Sequence, residues 1–134
     1  DSDETPILVC NSDNLHTINF SALIENHISS GAWATLAVAE HVTEIPYGVV
    51  SIGDGFVNGL VEKPRRTDWV ATGVSVMTQR ALSLFPEGQR LDIPTVIGEL
   101  LDRGLPAGAF ECSGYWSDVG NPESLQRVRS DHQA

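Results

Sequence analysis

The sequence is short of sulfur, of positive charge and of long apolar runs, and each shortage excludes something. Its 134 residues include 2 Cys, too few for a disulfide framework; Cys10 and Cys112 each lie in an apolar run and read as buried free thiols. Only 8 Lys and Arg stand against 18 Asp and Glu, a formal charge of -10. A nucleic-acid backbone or an anionic membrane would repel such a surface, so neither is expected as a partner. An anionic substrate would need a metal ion or local cations. No apolar stretch reaches the length of a membrane span, and the start Asp1-Ser2-Asp3-Glu4-Thr5-Pro6 lacks both the charge and the apolar core of a signal peptide, so a cytoplasmic location is expected. No G-x-S-x-G elbow, Walker loop or dinucleotide fingerprint occurs, which leaves acyl-transfer, P-loop and Rossmann dehydrogenase readings without support. The histidines at positions 16, 27, 41 and 132 show no metal-ligand spacing, and His27 is expected at the edge of a helix face.

What is present describes one soluble domain over residues 1–134, with 41% apolar residues and an acidic, frayed start over residues 1–5. Ile7-Leu8-Val9-Cys10 is a continuous apolar run of the kind expected in a strand buried on both faces. Phe20, Leu23, Ile24, His27 and Ile28 recur at helical spacing, with Asn19 or Ser21 as cap and Gly31 as terminator. Ala34 to Glu40 reads as a second buried strand, completing a βαβ unit. Two strand-like runs, Tyr47 to Ile52 and Phe56 to Glu62, flank Gly53-Asp54-Gly55 and predict a β-hairpin. Trp69 to Met77 predicts another strand, Thr78 caps a short helix to Phe85, and Asp92 with Pro94 opens a helix ended by Gly104. A strand near Ala107 to Cys112 and a last helix from Asn121-Pro122 complete the pattern. The fold class is α/β: a mixed, mainly parallel sheet with flanking helices plus a β-hairpin.

Ligands of open α/β sheets gather beyond the carboxyl ends of the strands. Asp13 lies just past such an end, and Asp118 follows an apolar-aromatic segment in the same way; two converging carboxylates could hold Mg²⁺, which keeps waters for a phosphate to replace. An Asx-turn at Asp13 and a capping turn at Asp118 are the competing readings. Glu62 and Lys63 end a hairpin strand, where an ammonium could meet a phosphate and a carboxylate could accept sugar hydroxyl hydrogen bonds; with Arg65 and Arg66 they read equally as a solvated turn. Gly48 and Thr72-Gly73 mark places where backbone could approach a ligand, or where a turn or packing requires glycine.

Taken in order, Leu8-Val9-Cys10-Asn11-Ser12-Asp13, Ile45-Pro46-Tyr47-Gly48-Val49-Val50, Val61-Glu62-Lys63-Pro64, Thr72-Gly73, Asp92-Ile93-Pro94 and Tyr115-Trp116-Ser117-Asp118-Val119-Gly120 resemble the sugar-1-phosphate nucleotidyltransferases, from about Pro6 to Val128. The likeness is to the mannose-1-phosphate guanylyltransferase and glucose-1-phosphate thymidylyltransferase type. It implies a reaction joining a sugar-1-phosphate to the nucleoside monophosphate part of an NTP, with release of pyrophosphate. It further implies Asp13 and Asp118 as Mg²⁺ ligands, Lys63 as the residue that holds the sugar phosphate, and Glu62, Gly48, Thr72 and Gly73 as substrate contacts. The family's Asn-(Ala/Thr)-Gly strand reads Ala71-Thr72-Gly73 here, removing one sugar-hydroxyl partner, and Ser75 stands where an aromatic is common. No G-x-G-T-R-L loop or P-K-P segment occurs in these 134 residues. The chain alone is therefore expected to lack full activity, and its first strand is expected to have an open edge covered by a second copy, as a homodimer, or by a partner chain. The alternative is a non-catalytic truncated module that oligomerises and binds sugar phosphate or Mg²⁺.

Overall fold

A computed structural model describes residues 4–131; the first three residues of the acidic start, and His132, lie outside them. In chain order the elements are β1 (Pro6–Cys10), β2 (Asn14–His16), α1 (Phe20–Ser30), β3 (Ala34–Glu44), β4 (Gly48–Gly53), β5 (Phe56–Glu62), β6 (Arg65–Thr78), α2 (Gln79–Leu82), α3 (Ile93–Asp102), β7 (Ala107–Glu111), β8 (Trp116–Asp118) and α4 (Pro122–Asp131). The chain divides into two compact units, one formed by residues up to Ala39 together with those from Ala71 onward, the other by Glu40–Val70.

The larger unit is built on a four-stranded sheet in the order β1-β6-β3-β7, with β1 antiparallel to β6 and β3 parallel to β7. Thr78 N donates to Trp33 O, and Thr72 Oγ1 donates to Ala37 O. Residue numbers therefore rise along β6 as they fall along β3, and those strands are antiparallel. The sheet is mixed, as expected, with β6 as the single strand running against the other three. β6 also lies between β1 and β3, so the strands of the anticipated βαβ unit are not neighbours.

Side-chain alternation along the central strands supplies a core on each face. Val74, Val76 and Ala37 pack with Leu23 of α1. Ala34 and Met77 pack with Ile93, Val96 and Leu100 of α3 and with Ala81. The helix ends follow the sequence: Asn19 Oδ1 accepts from Ala22 N at 3.1 Å, Gly31 closes α1 at φ 65°, and Asp92 Oδ1 accepts from Thr95 N at 2.8 Å. That last bond holds the Asp92 carboxyl below its usual range.

Three expectations are corrected. Ile7 to Cys10 is not buried on both faces: β1 is the terminal strand of the sheet, Leu8 is 37% exposed and Cys10 is exposed. A strand with one neighbour lacks the second flank that would cover alternate side chains. Neither cysteine is deeply buried, Cys112 being half-covered, though both are free thiols. His27 is not at a helix edge but 2% exposed, because the last turn of α1 lies over the wholly buried Thr35, whose Oγ1 is 2.9 Å from His27 Nδ1.

In the smaller unit β4 and β5 form the expected hairpin, with Gly48 opposite Glu62 and a turn at Asp54 (φ 52°) and Gly55 (φ 83°). Both central turn residues are left-handed, as a hairpin of matching twist requires. Arg65 and Arg66 belong to β6 rather than to a turn, and they face carboxylates: Arg65 Nε is 3.5 Å from Glu44, and Arg66 Nε donates to Asp68 at 2.7 Å.

His27 makes stability pH-dependent. Burial and the nearby Arg80 guanidinium lower its pKa below 6.5, against a smaller opposing pull from Glu4, and among the described residues Nε2 has no hydrogen-bond partner for a second proton. The unfolded chain therefore binds the proton more readily, so stability is lost as pH falls from about 6.5 toward the lower folded-state value. Urea midpoints measured between about pH 8 and pH 5 are expected to drop on the acid side in the wild type and to run flatter in His27→Gln.

Candidate active site

A small polar cavity of about 220 Å³ opens in the larger unit, lined by Asn11, Asp13, Asn14, Thr72, Trp116 and Asp118 among others. Its walls come from loops held together by short strands. β2 and β8 pair antiparallel, placing Asn14 opposite Asp118 and His16 opposite Trp116. Just outside that ladder Val119 N donates to Asp13 O at 2.8 Å. The loop after β1 and the segment ending in Asp118 are thus joined by backbone, and each contributes one carboxylate.

Gly120 shows where those carboxylates point. A Cβ built there would stand 3.1 Å from Asp118 Oδ1 and 3.3 Å from Asp13 Oδ2. Both side chains converge on one spot, and Gly120 N donates to Asp118 Oδ1 at 2.9 Å. Both aspartates are exposed, so each carboxylate has open coordination positions. Among the described residues no group of three or more His, Cys, Asp or Glu could enclose a metal. Two oxygen ligands with the remainder left open fit Mg²⁺, which is bound by one or two carboxylates plus waters or substrate phosphate, and do not fit a closed structural site.

Beside the carboxylates β6 carries a break in regularity. Gly73 has φ 80°, a left-handed conformation inside a strand. A Cβ there would overlap Asn14 Nδ2 and come within 2.8 Å of Asn11 Nδ2. The Thr72 hydroxyl is committed to Ala37 O and its side chain is buried, so only Thr72's backbone is presented to the cavity; its carbonyl accepts from Asn14 Nδ2 at 2.7 Å and from Trp116 Nε1 at 2.9 Å.

The structure gathers Asp13, Asp118, Thr72 and Gly73 in the larger unit and Gly48, Glu62 and Lys63 in the smaller one. In the latter, a Cβ on Gly48 would sit 3.1 Å from Glu62 Oε2, so the carboxylate lies over bare backbone. Lys63 has φ 44° and directly precedes Pro64. A left-handed lysine before proline is doubly disfavoured, by its own Cβ and by the proline ring. It is held by Lys63 N donating to Tyr47 O at 3.2 Å and Ile45 N donating to Pro64 O at 3.1 Å. Strain of this kind gathers at functional positions. Lys63 is also the sole lysine in the sequence. Sequence reasoning had missed Asn11, Asn14 and Trp116 as cavity residues; the short strand β2 that organises them is too brief to leave a periodic signal.

Comparison with known proteins identifies the class. The family model described as "Nucleotidyl transferase" matches residues 1–134, and the chain belongs to that family. It is 25% identical over 137 residues to glucose-1-phosphate adenylyltransferase of Clostridium acetobutylicum, covering 93% of this chain and 36% of that protein. It is 28% identical over 129 residues to mannose-1-phosphate guanyltransferase of Debaryomyces hansenii, covering 92% of this chain and 35% of that one. The chain thus spans about a third of the length of the curated relatives it matches. Among solved structures, HddC from Yersinia pseudotuberculosis superposes with a TM-score of 0.64 at 20% identity, over 95% of this chain and 55% of that one. A Bacillus anthracis protein described as a glucose-1-phosphate thymidylyltransferase, in complex with sucrose, gives 0.64 at 21% identity, covering 96% and 55%. The shared fold is therefore that of the nucleotidyltransferases.

Replacing Gly73 by Ala should be costly. The left-handed backbone and the displaced asparagine amides are expected to lower unfolding free energy by about 1–3 kcal/mol. Urea denaturation of Gly73→Ala against wild type measures it, and equal stability would show that the bend in β6 carries no strain for a side chain.

Proposed function

We propose that this chain carries the metal-binding and sugar-phosphate-binding part of a sugar-1-phosphate nucleotidyltransferase. The observation that carries this reading is the convergence of Asp13 and Asp118 on Gly120, in a chain of the nucleotidyl transferase family. In the proposed reaction a phosphate oxygen of the sugar-1-phosphate attacks the α-phosphorus of an NTP; the new P–O bond forms as the bond to the β-phosphate oxygen breaks, and pyrophosphate leaves. Catalysis of such an in-line displacement consists mainly of positioning and charge neutralisation.

The residues divide that work. Asp13 and Asp118 would hold Mg²⁺. When bound, the ion supplies positive charge to phosphate oxygens, which a protein of formal charge -10 otherwise lacks. The Lys63 ammonium binds the sugar phosphate through charge-assisted hydrogen bonds. Glu62 accepts from sugar hydroxyls, and bare backbone at Gly48 lets the sugar ring approach. The Thr72-Gly73 peptide borders the cation site by its backbone, while Ala71 stands where the pattern of the resembled family has an asparagine. The relatives named above act on glucose-1-phosphate and mannose-1-phosphate by their names, which makes a hexose-1-phosphate the first substrate to try. A second copy or a partner chain against β1 is the accompanying proposal. The terminal place of β1 in the sheet supports it, and light scattering after size exclusion tests it: a stable dilute monomer would contradict a homodimer.

The sole lysine offers a selective probe. Reductive ¹³C-methylation labels Lys63 and the chain's N-terminal amine, and titration with glucose-1-phosphate or mannose-1-phosphate in Mg²⁺ is expected to shift the Lys63 signal. By calorimetry, Lys63→Ala is expected to bind that sugar phosphate about 10- to 100-fold more weakly, since a hydrogen bond to a charged group contributes about 1.5–3 kcal/mol. No shift and no heat in the wild type, or unchanged affinity in Lys63→Ala, would overturn the assignment.

A further inference from the structure

We propose that Asn14 and Trp116 are positioning residues that set the spacing of the Asp13 and Asp118 carboxylates by clamping both loops to one backbone oxygen, the Thr72 carbonyl. The inference rests on the reading of those aspartates as a divalent-cation site. Asn14 follows Asp13 directly, and its Nδ2 donates to Thr72 O at 2.7 Å. Trp116 lies two residues before Asp118 on β8, hence on the same face of that strand, and its Nε1 donates to the same oxygen at 2.9 Å. One atom therefore ties down both carboxylate-bearing segments.

The anchor is itself immobile. Thr72 is 1% exposed and its hydroxyl is bonded to Ala37 O. Asn11 N donates to Gly73 O at 2.8 Å, in continuation of the Cys10–Val74 register, so Gly73 faces β1 and the Thr72 carbonyl would face β3 in a regular strand. The left-handed φ of Gly73 rotates the preceding peptide plane, which carries the Thr72 carbonyl, out of the strand's regular alternation and toward the two side-chain donors. Asn14 and Asp118 also face each other in the β2–β8 ladder, so a shift of Asn14 would be passed to the segment that carries the Asp118 carboxylate. Groups that hold a metal's ligands in place change its affinity about 10- to 100-fold when removed, without touching the ion. The indole N–H of Trp116 has no lone pair to offer a cation. Any effect of Trp116 on metal affinity must therefore pass through the geometry of the aspartates.

The test is a Mn²⁺ titration followed by electron paramagnetic resonance, using the full chain as wild type, Trp116→Phe, Asn14→Ala, Asp118→Ala and Leu100→Ala. Leu100 of α3 is wholly buried in the core with Ala34 and Met77, and serves as the control for simple destabilisation. Trp116→Phe and Asn14→Ala are each expected to weaken Mn²⁺ binding about 10-fold, and the double variant to lose less than the product of the two, since they share one acceptor. Leu100→Ala is expected to melt at lower temperature with unchanged Mn²⁺ affinity. Should Trp116→Phe fail to fold, Asn14→Ala on its half-exposed strand decides. If both variants bind Mn²⁺ as the wild type does while Asp118→Ala loses it, the cation site stands and the clamp is overturned. If Asp118→Ala binds as the wild type does, or the wild type binds no Mn²⁺, the cation site itself falls and the clamp with it.

Discussion

The structure of the candidate site depends on one peptide group, the Thr72-Gly73 unit of β6. A strand interior normally spends its carbonyls on the ladder. Here one carbonyl is turned aside by a left-handed glycine and takes two side-chain donors instead, from Asn14 and Trp116. A residue with a Cβ at position 73 would overlap the Asn14 amide, so the close approach of the asparagines and the backbone bend are a single requirement that only glycine meets. The two short strands β2 and β8 could not persist as an isolated ribbon. Their attachment to β6 through this oxygen, and the Val119 to Asp13 backbone bond, give the carboxylates a rigid base.

β6 has the same organising part in the fold. It is the one strand antiparallel to the rest of its sheet, and it is flanked on both sides, by β1 and β3. Its alternating residues feed both cores: Val74 and Val76 toward α1, Met77 toward α3. Ser75 and Thr78 complete a buried stretch in which the hydroxyl of Thr78 is bonded to Trp33 O at 2.9 Å. A strand so fixed along its last turns of sequence is a suitable foundation for a site at the point where its regularity stops. β1, by contrast, has one neighbour, and its exposure follows from that place rather than from its composition.

Much of this was legible beforehand, and the failures have physical causes. The helices announced themselves through their caps: Asn19, Asp92 and Thr78 each hold the amide their position implies. The hairpin followed from Gly53-Asp54-Gly55, and the family from ordered motifs that the match over residues 1–134 bears out. Burial was less legible. An apolar run reads the same at the centre and at the edge of a sheet, so β1 and Cys10 were placed too deep, while His27, polar and near a helix end, was placed too shallow. The cavity was legible in Asp13, Asp118, Thr72 and Gly73 but not in Asn11, Asn14 and Trp116. Asp13 and Asp118 follow apolar segments in a way that sequence reveals. Asn14 and Trp116 act through a backbone oxygen 58 and 44 residues away, a relation with no local signature. The strain at Lys63 is equally invisible in sequence, since nothing in Glu-Lys-Pro announces a left-handed lysine.

Charge links the parts of this account. A chain of formal charge -10 can receive a phosphorylated substrate only where cations are concentrated, and Arg65 and Arg66 face carboxylates of their own. In the proposed reading, Lys63 and an ion held by Asp13 and Asp118 are the means of admission. The most direct measurement is paramagnetic broadening of backbone amide signals on adding substoichiometric Mn²⁺ to the ¹⁵N-labelled chain. The account predicts that Asp13, Asn14, Val119 and Gly120 broaden first. Broadening that begins instead at other acidic stretches, such as Glu40–Glu44, with these four amides unaffected, would contradict it.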